Sequence, residues 1–271
     1  MSRMRIFLIL SLFMGLDTCI AVAGEETSSV SMPSVEGIVL ECADNLGGDI
    51  KPTVEVCFSP TCGHCADYIK TMLPKIEEEF IKTGKIKVIL RLFPFNNWDF
   101  VVGKLSLIPN PNGEGYALSP ERIHLFLYNQ EKWMPTRTEQ GSDKKGDGDT
   151  PGQRELDLKI KETADRLGVP ADDLKKDLCI EGGDPFVSLK LFCFEHKIPL
   201  DEILSAVKEN PVLENALTSV FLQTLDEKGN PIQFAPAFFI DGKLQPDSVN
   251  IAEIKAFLKT LHKTTPAKAK D

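Results

Sequence analysis

Two cysteines separated by two residues are the part of this sequence best suited to chemistry. They lie in the run Phe58-Ser59-Pro60-Thr61-Cys62-Gly63-His64-Cys65, between a segment with strand periodicity and one with helix periodicity. This order places Cys62 at a helix N-terminus, where unpaired N–H groups and the helix dipole lower the pKa of a thiol. His64 adds positive charge or a donor when the pair is reduced. The pattern predicts a redox pair, Cys62 and Cys65, tuned by Gly63 and His64.

The same cysteine spacing also occurs in zinc sites and in structural disulfides. A structural zinc site normally needs a second CxxC or an HxxxH pair, and the sequence contains neither. Cys42 and Cys57 complete a set of four sulfurs only with irregular spacing, and no methionine or histidine cluster lies near Cys62 for copper. We therefore predict no metal site and no cofactor other than the redox-active disulfide. A thiol-based metal-binding protein stays as an alternative.

The N-terminus has the pattern of a cleaved signal peptide. Arg3 and Arg5 precede an apolar run over 6–16, and Ala21-Val22-Ala23 has the small-x-small form of a cleavage site. The run is too short to span a bilayer, and no later segment is long and apolar enough. We predict a signal peptide over 1–23, secretion across a membrane, and no stable membrane insertion.

Charge and cysteine number narrow the class of partner. The formal net charge is −9, and removal of residues 1–23, which carry two basic and one acidic residue, makes it −10. That balance argues against nucleic acid and anionic membranes as partners. Of seven cysteines, Cys19 leaves with the signal peptide. In an oxidising compartment the remaining even number is typical of disulfides or a catalytic dithiol.

A strand, a helix and a second strand position the cysteines. Residues 53–58 alternate in polarity, with Val54, Val56 and Phe58 on one face, so Glu55 should point to the other face. After Cys62 the apolar residues follow a helical stripe, with a kink expected at Pro74. Residues 85–93 again alternate and predict the second strand. The stripe and the second strand's apolar face consist of Ile69, Leu73, Ile76, Phe80, Ile86, Val88, Leu90 and Leu92.

The middle of the chain has mostly helical patterns. Ser119 is predicted to cap one helix, and further helices are predicted over 156–167, 171–179 and 213–221. Residues 136–152 predict a mobile surface loop, and 186–194 fit a helix and a strand equally well.

The end of the chain returns to strand periodicity. Asp241-Gly242 predicts a hairpin turn, Ser248 is predicted to cap a final helix, and the tail from Lys263 is predicted to be disordered.

This order of parts resembles the DsbA-like branch of the thioredoxin superfamily, the extracytoplasmic thiol-disulfide oxidoreductases of bacteria. The resemblance is carried by the run 58–65, by Gly84-Lys85-Ile86-Lys87-Val88-Ile89-Leu90-Arg91-Leu92-Phe93-Pro94 and by Ala235-Pro236-Ala237-Phe238-Phe239-Ile240-Asp241-Gly242, and it covers most of 35–262. It implies an α/β thioredoxin fold, a mixed β-sheet flanked by helices, with an inserted helical domain.

The boundaries that follow are a signal peptide (1–23), a flexible leader (24–34), the first part of the thioredoxin fold (35–98), the helical insertion (99–228), the second part (229–262) and a disordered tail (263–271).

The resemblance also implies an activity and a second element of the site. The Ala235-Pro236 bond should be cis, and its loop should face the Cys62 sulfur and pair with an extended substrate. The substrates would be unfolded or misfolded cysteine-containing secreted proteins, and a membrane partner would exchange electrons with the pair. The activity is that of an oxidase or an isomerase. A chaperone-like protein on a thioredoxin scaffold is a further alternative.

Two departures from the family pattern affect these expectations. Family members often have a buried acidic residue six positions before the first cysteine, where this chain has Val56. The dipeptide Gly63-His64 is similar to that of protein disulfide isomerase, whereas strong oxidants commonly have Pro-His. This favours an isomerase or a milder oxidant.

Four cysteines outside the pair remain after residue 23, namely Cys42, Cys57, Cys179 and Cys193. Cys179 and Cys193 enclose thirteen residues and are candidates for a structural disulfide in the helical insertion, worth about 3 kcal/mol. Cys57 fits a buried free thiol, and a Cys42–Cys57 bridge is also open because spacing does not fix connectivity.

Overall fold

A mixed β-sheet lies at the centre of the molecule. The computed structural model describes residues 35–41, 51–110, 115–134, 151–223, 229–230, 232–246 and 248–264. Within them the sheet has five strands in the order β2-β4-β3-β7-β8. These strands are β2 (Ile38–Leu40), β3 (Thr53–Phe58), β4 (Lys87–Leu92), β7 (Ala237–Ile240) and β8 (Lys243–Leu244). β3 and β4 are parallel, and the pairs β2–β4, β3–β7 and β7–β8 are antiparallel.

The two parallel strands alternate as the sequence predicts. Val54, Val56 and Phe58 are buried in the main hydrophobic core together with the apolar face of β4. Glu55 lies on the opposite face, where its carboxylate accepts a hydrogen bond from Arg91 Nε at 2.5 Å. Cys57 is buried on that same opposite face with Phe93 and Phe239. Both faces of the central strands are therefore covered, which fixes their register.

The helix that follows the first cysteine is interrupted where the sequence predicts a kink. α1 (Gly63–Thr71) ends at Met72, and α2 (Leu73–Ile76) has Pro74 in its first turn. A π-helical turn, Glu77–Ile81, completes the segment, and Gly84 follows with φ 67°. The predicted apolar stripe is buried against the sheet. The parallel β3–β4 pair joined by these helices, with the antiparallel β7–β8 hairpin beside it, gives the thioredoxin fold that the resemblance implies.

A small second sheet departs from the prediction that residues 99–228 are helical. Its strands are β1 (Val35–Glu36), β5 (Leu107–Pro109) and β6 (Tyr116–Leu118). β6 lies between the other two strands, parallel to β1 and antiparallel to β5. Strands of two or three residues are too short to produce a visible alternation, which explains why the sequence did not predict them.

The rest of the insertion is helical. Ser119 caps α4 as predicted, the ambiguous segment 186–194 is helical, and α3 and α9 were not predicted. The helices are α3 (Asn97–Ser106), α4 (Pro120–Tyr128), α5 (Gln130–Trp133), α6 (Pro151–Leu167), α7 (Ala171–Asp177), α8 (Val187–Glu195), α9 (Leu200–Ala206) and α10 (Pro211–Gln223). Of the predicted loop, Pro151 and Gly152 already belong to α6 and the remainder lies outside the described residues.

The helical insertion has its own core, built around aromatic side chains. The Trp98 and Trp133 rings stack at 6.2 Å, and Phe126 meets Trp133 edge-on at 5.9 Å. Beside this core Lys190 Nζ lies 2.7 Å from Asp184 Oδ2, with both side chains almost completely buried. Insertion and sheet nevertheless belong to one compact unit.

The C-terminal segment follows the predicted pattern except for its helix cap. Asp241 and Gly242 both have positive φ and form the turn between β7 and β8. α11 (Ile251–Thr264) is capped by Asn250, whose Oδ1 accepts from Ala252 N at 2.8 Å. Ser248 was therefore the wrong cap, because it lies two residues too early.

The tail and the membrane prediction can be compared with the described residues only in part. α11 includes Lys263 and Thr264, and residues 265–271 lie outside the described part of the chain. Across the described ranges, no helix has the length and apolar character needed to cross a bilayer. The predicted signal peptide and the leader up to residue 34 also lie outside these ranges.

Candidate active site

The Cys62 sulfur is placed by the first turn of α1. Cys62 is the N-cap residue of this helix, and its Sγ accepts a hydrogen bond from Cys65 N at 3.3 Å. Its thiol also lies 3.3 Å from the carbonyl oxygen of Ala235, to which it donates. Cys62 is half-buried, whereas Cys65 is buried. Of the two sulfurs, Cys62 is therefore the one that another molecule can reach.

The pair has sharply different proton affinities. Donation by the Cys65 thiol lowers the pKa of Cys62 from 9.0 to about 6, and backbone hydrogen bonds from Cys65 and His64 and the charge of His64 act in the same direction against the cost of burial. The same hydrogen bond, together with burial, raises the pKa of Cys65 far above its usual range. The reduced pair therefore holds a thiolate on Cys62 and a proton on Cys65 near neutral pH.

Alkylation of the reduced protein should report this asymmetry. The rate at which iodoacetamide labels Cys62 is expected to rise to a midpoint at a pH of about 6 and then level off, because only the thiolate reacts. Cys65 should be labelled far more slowly at every pH, because it is buried and its pKa is raised. Peptide mass spectrometry of quenched samples measures both rates. Protein unfolded in urea is the control, and its midpoint should return to the ordinary thiol value of about 8.5.

The lowered pKa of Cys62 also makes the stability of the reduced protein depend on pH. Because the folded-state pKa lies below the unfolded-state value, stability rises as the pH increases from about 6 to the unfolded-state pKa and is lost as the pH falls back through about 6. A Cys62 labelling midpoint at the unfolded-state value would contradict the asymmetry.

The two residues between the cysteines face solvent. Gly63 and His64 are both exposed, and a Cβ at position 63 would meet nothing within 4 Å. Gly63 has no positive φ, so neither space nor backbone conformation requires glycine here. His64 contributes through its backbone N–H and its charge.

The loop that includes Pro236 lies beside the cysteines, as the resemblance implies. The Ala235-Pro236 bond is cis, and the Ala235 carbonyl faces Cys62. Next to it a groove of about 440 Å³ has walls that include His64, Tyr68, Met72, Phe234, Pro236 and Phe238. The Tyr68 and Phe238 rings pack at 4.7 Å, while Phe234 is half exposed. The groove is open, largely apolar, and begins at His64.

Two residues of the insertion contact the cysteine loop, and the sequence did not single out either. Gln130 Nε2, on α5, donates to the carbonyl oxygens of Pro60 at 2.5 Å and Cys62 at 3.1 Å. Asp99, on α3, is fully buried and accepts hydrogen bonds from Ser59 and Thr61. One feature of the sequence could have indicated the helix that contains Asp99. Asn96 is a typical N-cap residue, and its Oδ1 caps α3 by accepting a hydrogen bond from Asp99 N at 3.0 Å.

The predicted second disulfide is not present in the structure. The five cysteines in the described residues are free thiols. Cys193 is buried in the core of the insertion, where burial raises the pKa of its thiol. Cys179 instead is exposed, at the end of α7 with φ 49°. The candidate Cys179–Cys193 bridge is thus not formed in this structure, in which Cys193 is buried and Cys179 is exposed.

The remaining points concern Cys57, Cys42 and groups of side chains that could bind a metal ion. Cys57 is a buried free thiol, and burial raises its pKa to about 12, whereas Cys42 lies outside the described residues. In the described part of the chain, no group of three or more His, Cys, Asp or Glu side chains could hold a metal ion.

The fold and the Cys62–Cys65 geometry define a thioredoxin-fold protein with a dithiol at the start of its first sheet-packed helix. In agreement with this, residues 49–173 match the family model described as Thioredoxin. This match agrees with the thioredoxin part of the resemblance drawn from the sequence.

Curated proteins similar to this chain occur in Rickettsia. A Rickettsia conorii protein with the provisional name protein-disulfide oxidoreductase is 34% identical over 77 residues, covering 28% of this chain and 26% of that protein. A Rickettsia bellii protein of the same provisional name is 44% identical over 87 residues, covering 31% of each. The matched part thus spans less than a third of these relatives' length.

Solved structures with similar folds cover more of the chain at lower identity. A protein-disulfide isomerase from Novosphingobium aromaticivorans superposes with a TM-score of 0.49 and 14% identity, covering 83% of this chain and 97% of that one. DsbA from Chlamydia trachomatis has a TM-score of 0.45 and 14% identity, covering 89% and 96%.

Proposed function

We propose that this protein is an extracytoplasmic thiol:disulfide oxidoreductase that introduces or rearranges disulfides in secreted proteins through Cys62 and Cys65. The observation that carries the proposal is the position of the Cys62 sulfur. It is half-buried at the start of α1, has a pKa lowered to about 6, and lies 3.3 Å from the Ala235 carbonyl beside an open groove. The provisional names of the Rickettsia relatives support the same activity.

The proposed oxidation proceeds by two thiol–disulfide exchanges. A substrate thiolate attacks Cys62 Sγ of the disulfide form, the Cys62–Cys65 bond breaks, and Cys65 leaves and takes up a proton. A second substrate thiolate then attacks the substrate sulfur of this mixed disulfide and releases Cys62 as a thiolate. The substrate loses two electrons and two protons. The pair gains both electrons, Cys65 keeps one proton, and solvent receives the other.

The low pKa of Cys62 favours the oxidising direction. Because the protein stabilises the Cys62 thiolate, the reduced pair is favoured. The disulfide form therefore readily oxidises other thiols. In the isomerase direction the Cys62 thiolate attacks a wrong substrate disulfide, and Cys65 resolves the trapped complex. The proposal includes this isomerase reaction because the Gly63-His64 dipeptide is similar to that of protein disulfide isomerase.

The groove suggests how a substrate binds. An extended chain can hydrogen-bond to the backbone beside Pro236, as in strand addition, while an apolar side chain next to its cysteine contacts Phe234 and Tyr68. A folded protein rarely exposes such a segment. We therefore assign as substrates unfolded or misfolded cysteine-containing secreted proteins. The net charge of −9 makes nucleic acid a poor partner.

The remaining parts of the proposal concern the cellular context. The sequence pattern of residues 1–23 supports export and a periplasmic location. A pair that oxidises substrates must be reoxidised after each cycle, and a membrane redox partner that accepts two electrons would do this. The redox-active disulfide is then the only cofactor that the cycle requires.

The test is the redox equilibrium of the pair measured beside its activity. The protein is equilibrated in a series of glutathione buffers, and the fraction of free Cys62 and Cys65 is read by alkylation and mass spectrometry. In parallel, the protein is incubated with a reduced unfolded two-cysteine peptide and with a scrambled multi-disulfide protein. Fast peptide oxidation with little repair of the scrambled protein identifies an oxidase, and good repair at a milder potential identifies an isomerase. Neither activity, or zinc or copper retained through purification, would contradict the proposal.

A further inference from the structure

Asp99 is a buried carboxylate that the exchange chemistry does not use. Its side chain is 0% exposed, and among the described residues it takes part in no ion pair. Its oxygens instead accept from four donors. Each of these bonds is 2.9 Å long: Ser59 Oγ to both oxygens, Thr61 N and Thr61 Oγ1 to Oδ1, and Phe95 N to Oδ2. Polar donors thus offset the cost of burial without cancelling the negative charge.

Three of the four donors belong to the loop that sets the position of Cys62. Thr61 directly precedes Cys62, and the Ser59 carbonyl oxygen accepts from Cys62 N at 3.1 Å. Asn96 Nδ2 extends the network by donating to Thr61 Oγ1 at 2.9 Å. One carboxylate of the insertion therefore holds the residues at both ends of the short turn before the reactive sulfur.

The charge of Asp99 also acts on the second cysteine. The hydrogen bond with Cys62 and burial are the main causes that raise the pKa of Cys65. Among the described residues, the negative charges of Cys62 and of Asp99 on α3 raise it further. His64, the other titratable residue of this turn, is exposed. The buried carboxylate and the Cys62 thiolate thus oppose a second negative charge in the same direction.

We propose that Asp99 is a positioning residue of the Cys62–Cys65 pair: its carboxylate fixes the turn 59–61 and adds a buried negative charge beside the dithiol. The reduced pair then has its single negative charge on Cys62, the sulfur that a substrate can reach. This inference rests on the proposed function, since it concerns the same dithiol.

The test is the labelling of both thiols in Asp99→Asn. The amide keeps the shape, and its single oxygen can still accept from Thr61 and Ser59, but it removes the charge. We expect the rate of Cys65 labelling at a fixed alkaline pH to rise about tenfold, as for a pKa lower by one unit. The pH midpoint of Cys62 labelling should change little. Alkylation with mass spectrometry measures both quantities.

Two variants separate the charge from a structural effect. Ser59→Ala removes a donor but keeps the carboxylate, so its rate of Cys65 labelling should rise far less than that of Asp99→Asn. Asp165→Asn removes an exposed acid from α6 and should change the labelling of neither thiol. A loosened loop exposes Cys65 in both Asp99→Asn and Ser59→Ala, whereas loss of the charge acts only in Asp99→Asn. A rise of Cys65 labelling in either control variant equal to that in Asp99→Asn would overturn the proposal.

The outcome does not depend on the folding of Asp99→Asn or on turnover. If circular dichroism shows that Asp99→Asn is unfolded, the wild-type titration still decides, because two thiols that both ionise below a pH of about 9 would overturn the inference by themselves. The expected labelling without any exchange activity would contradict the proposed function alone. Activity with unchanged Cys65 labelling in Asp99→Asn would contradict this inference alone.

Discussion

Cys62→Ser is expected to lower the rate of disulfide formation in a reduced peptide by about a thousandfold or more, to the level of the uncatalysed reaction. Serine has nearly the same shape, but its hydroxyl is neither a nucleophile nor a leaving group in disulfide exchange at neutral pH. Cys65 cannot substitute for Cys62, because it is buried and its pKa is strongly raised. The rate is measured by fluorescence or mass change of the peptide under a fixed glutathione buffer.

Two matched cysteine variants complete this experiment. Cys65→Ser keeps the attacking sulfur but removes the resolving thiol, so mixed disulfides with the substrate should accumulate as a discrete mass on non-reducing gels. Cys179→Ser removes the exposed thiol of the insertion and should keep full activity. If the Cys62→Ser protein still promoted correct pairing, a chaperone-like role on the same scaffold would replace the redox one.

Asp184→Asn is expected to destabilise the protein by about 3–5 kcal/mol, although it lies outside the candidate site. The Lys190 and Asp184 side chains are only 5% and 11% exposed, and Lys190 Nζ also donates to the Cys179 carbonyl oxygen at 3.2 Å. Removal of the carboxylate leaves the ammonium buried without its counter-charge. Urea unfolding, at fixed pH and with the thiols kept reduced, should show a lower midpoint with an unchanged slope.

A surface pair in the same insertion provides the control. Lys175 Nζ and Asp157 Oδ1 are 3.0 Å apart, but their side chains are 37% and 48% exposed. Asp157→Asn should therefore change stability by at most about 1 kcal/mol. The double variant Asp184→Leu with Lys190→Met should recover much of the loss, because both charges then leave the interior. Equal, small effects of Asp184→Asn and Asp157→Asn would mean that water reaches Lys190.

Local patterns predicted the elements that carry the cysteines. The alternation of Val54, Val56 and Phe58 and the stripe from Ile69 to Phe80 each report a buried face, and all these residues are buried in the main core. The Cys62–Cys65 spacing and its place between strand and helix indicated the pair. The cis Ala235-Pro236 bond followed from the resemblance alone, since an X-Pro bond is usually trans.

The contacts that complete the site could not be predicted in this way. Asp99 is 38 residues from Thr61 and Gln130 is 70 residues from Pro60, and no periodicity encodes a hydrogen bond over such a separation. Spacing was equally uninformative for Cys179 and Cys193, because the number of residues between two cysteines does not report whether each side chain is buried or exposed.

The hydrogen bonds of Asp99 and Gln130 have a consequence for the modularity of this architecture. An inserted domain is often regarded as an interchangeable addition to a conserved scaffold. Here the scaffold's cysteine loop receives two of its fixing contacts from α3 and α5 of the insertion. A chimera that exchanged the insertion for that of a distant relative would therefore inherit the sulfurs but not the loop geometry around them, unless positions 99 and 130 were transferred as well.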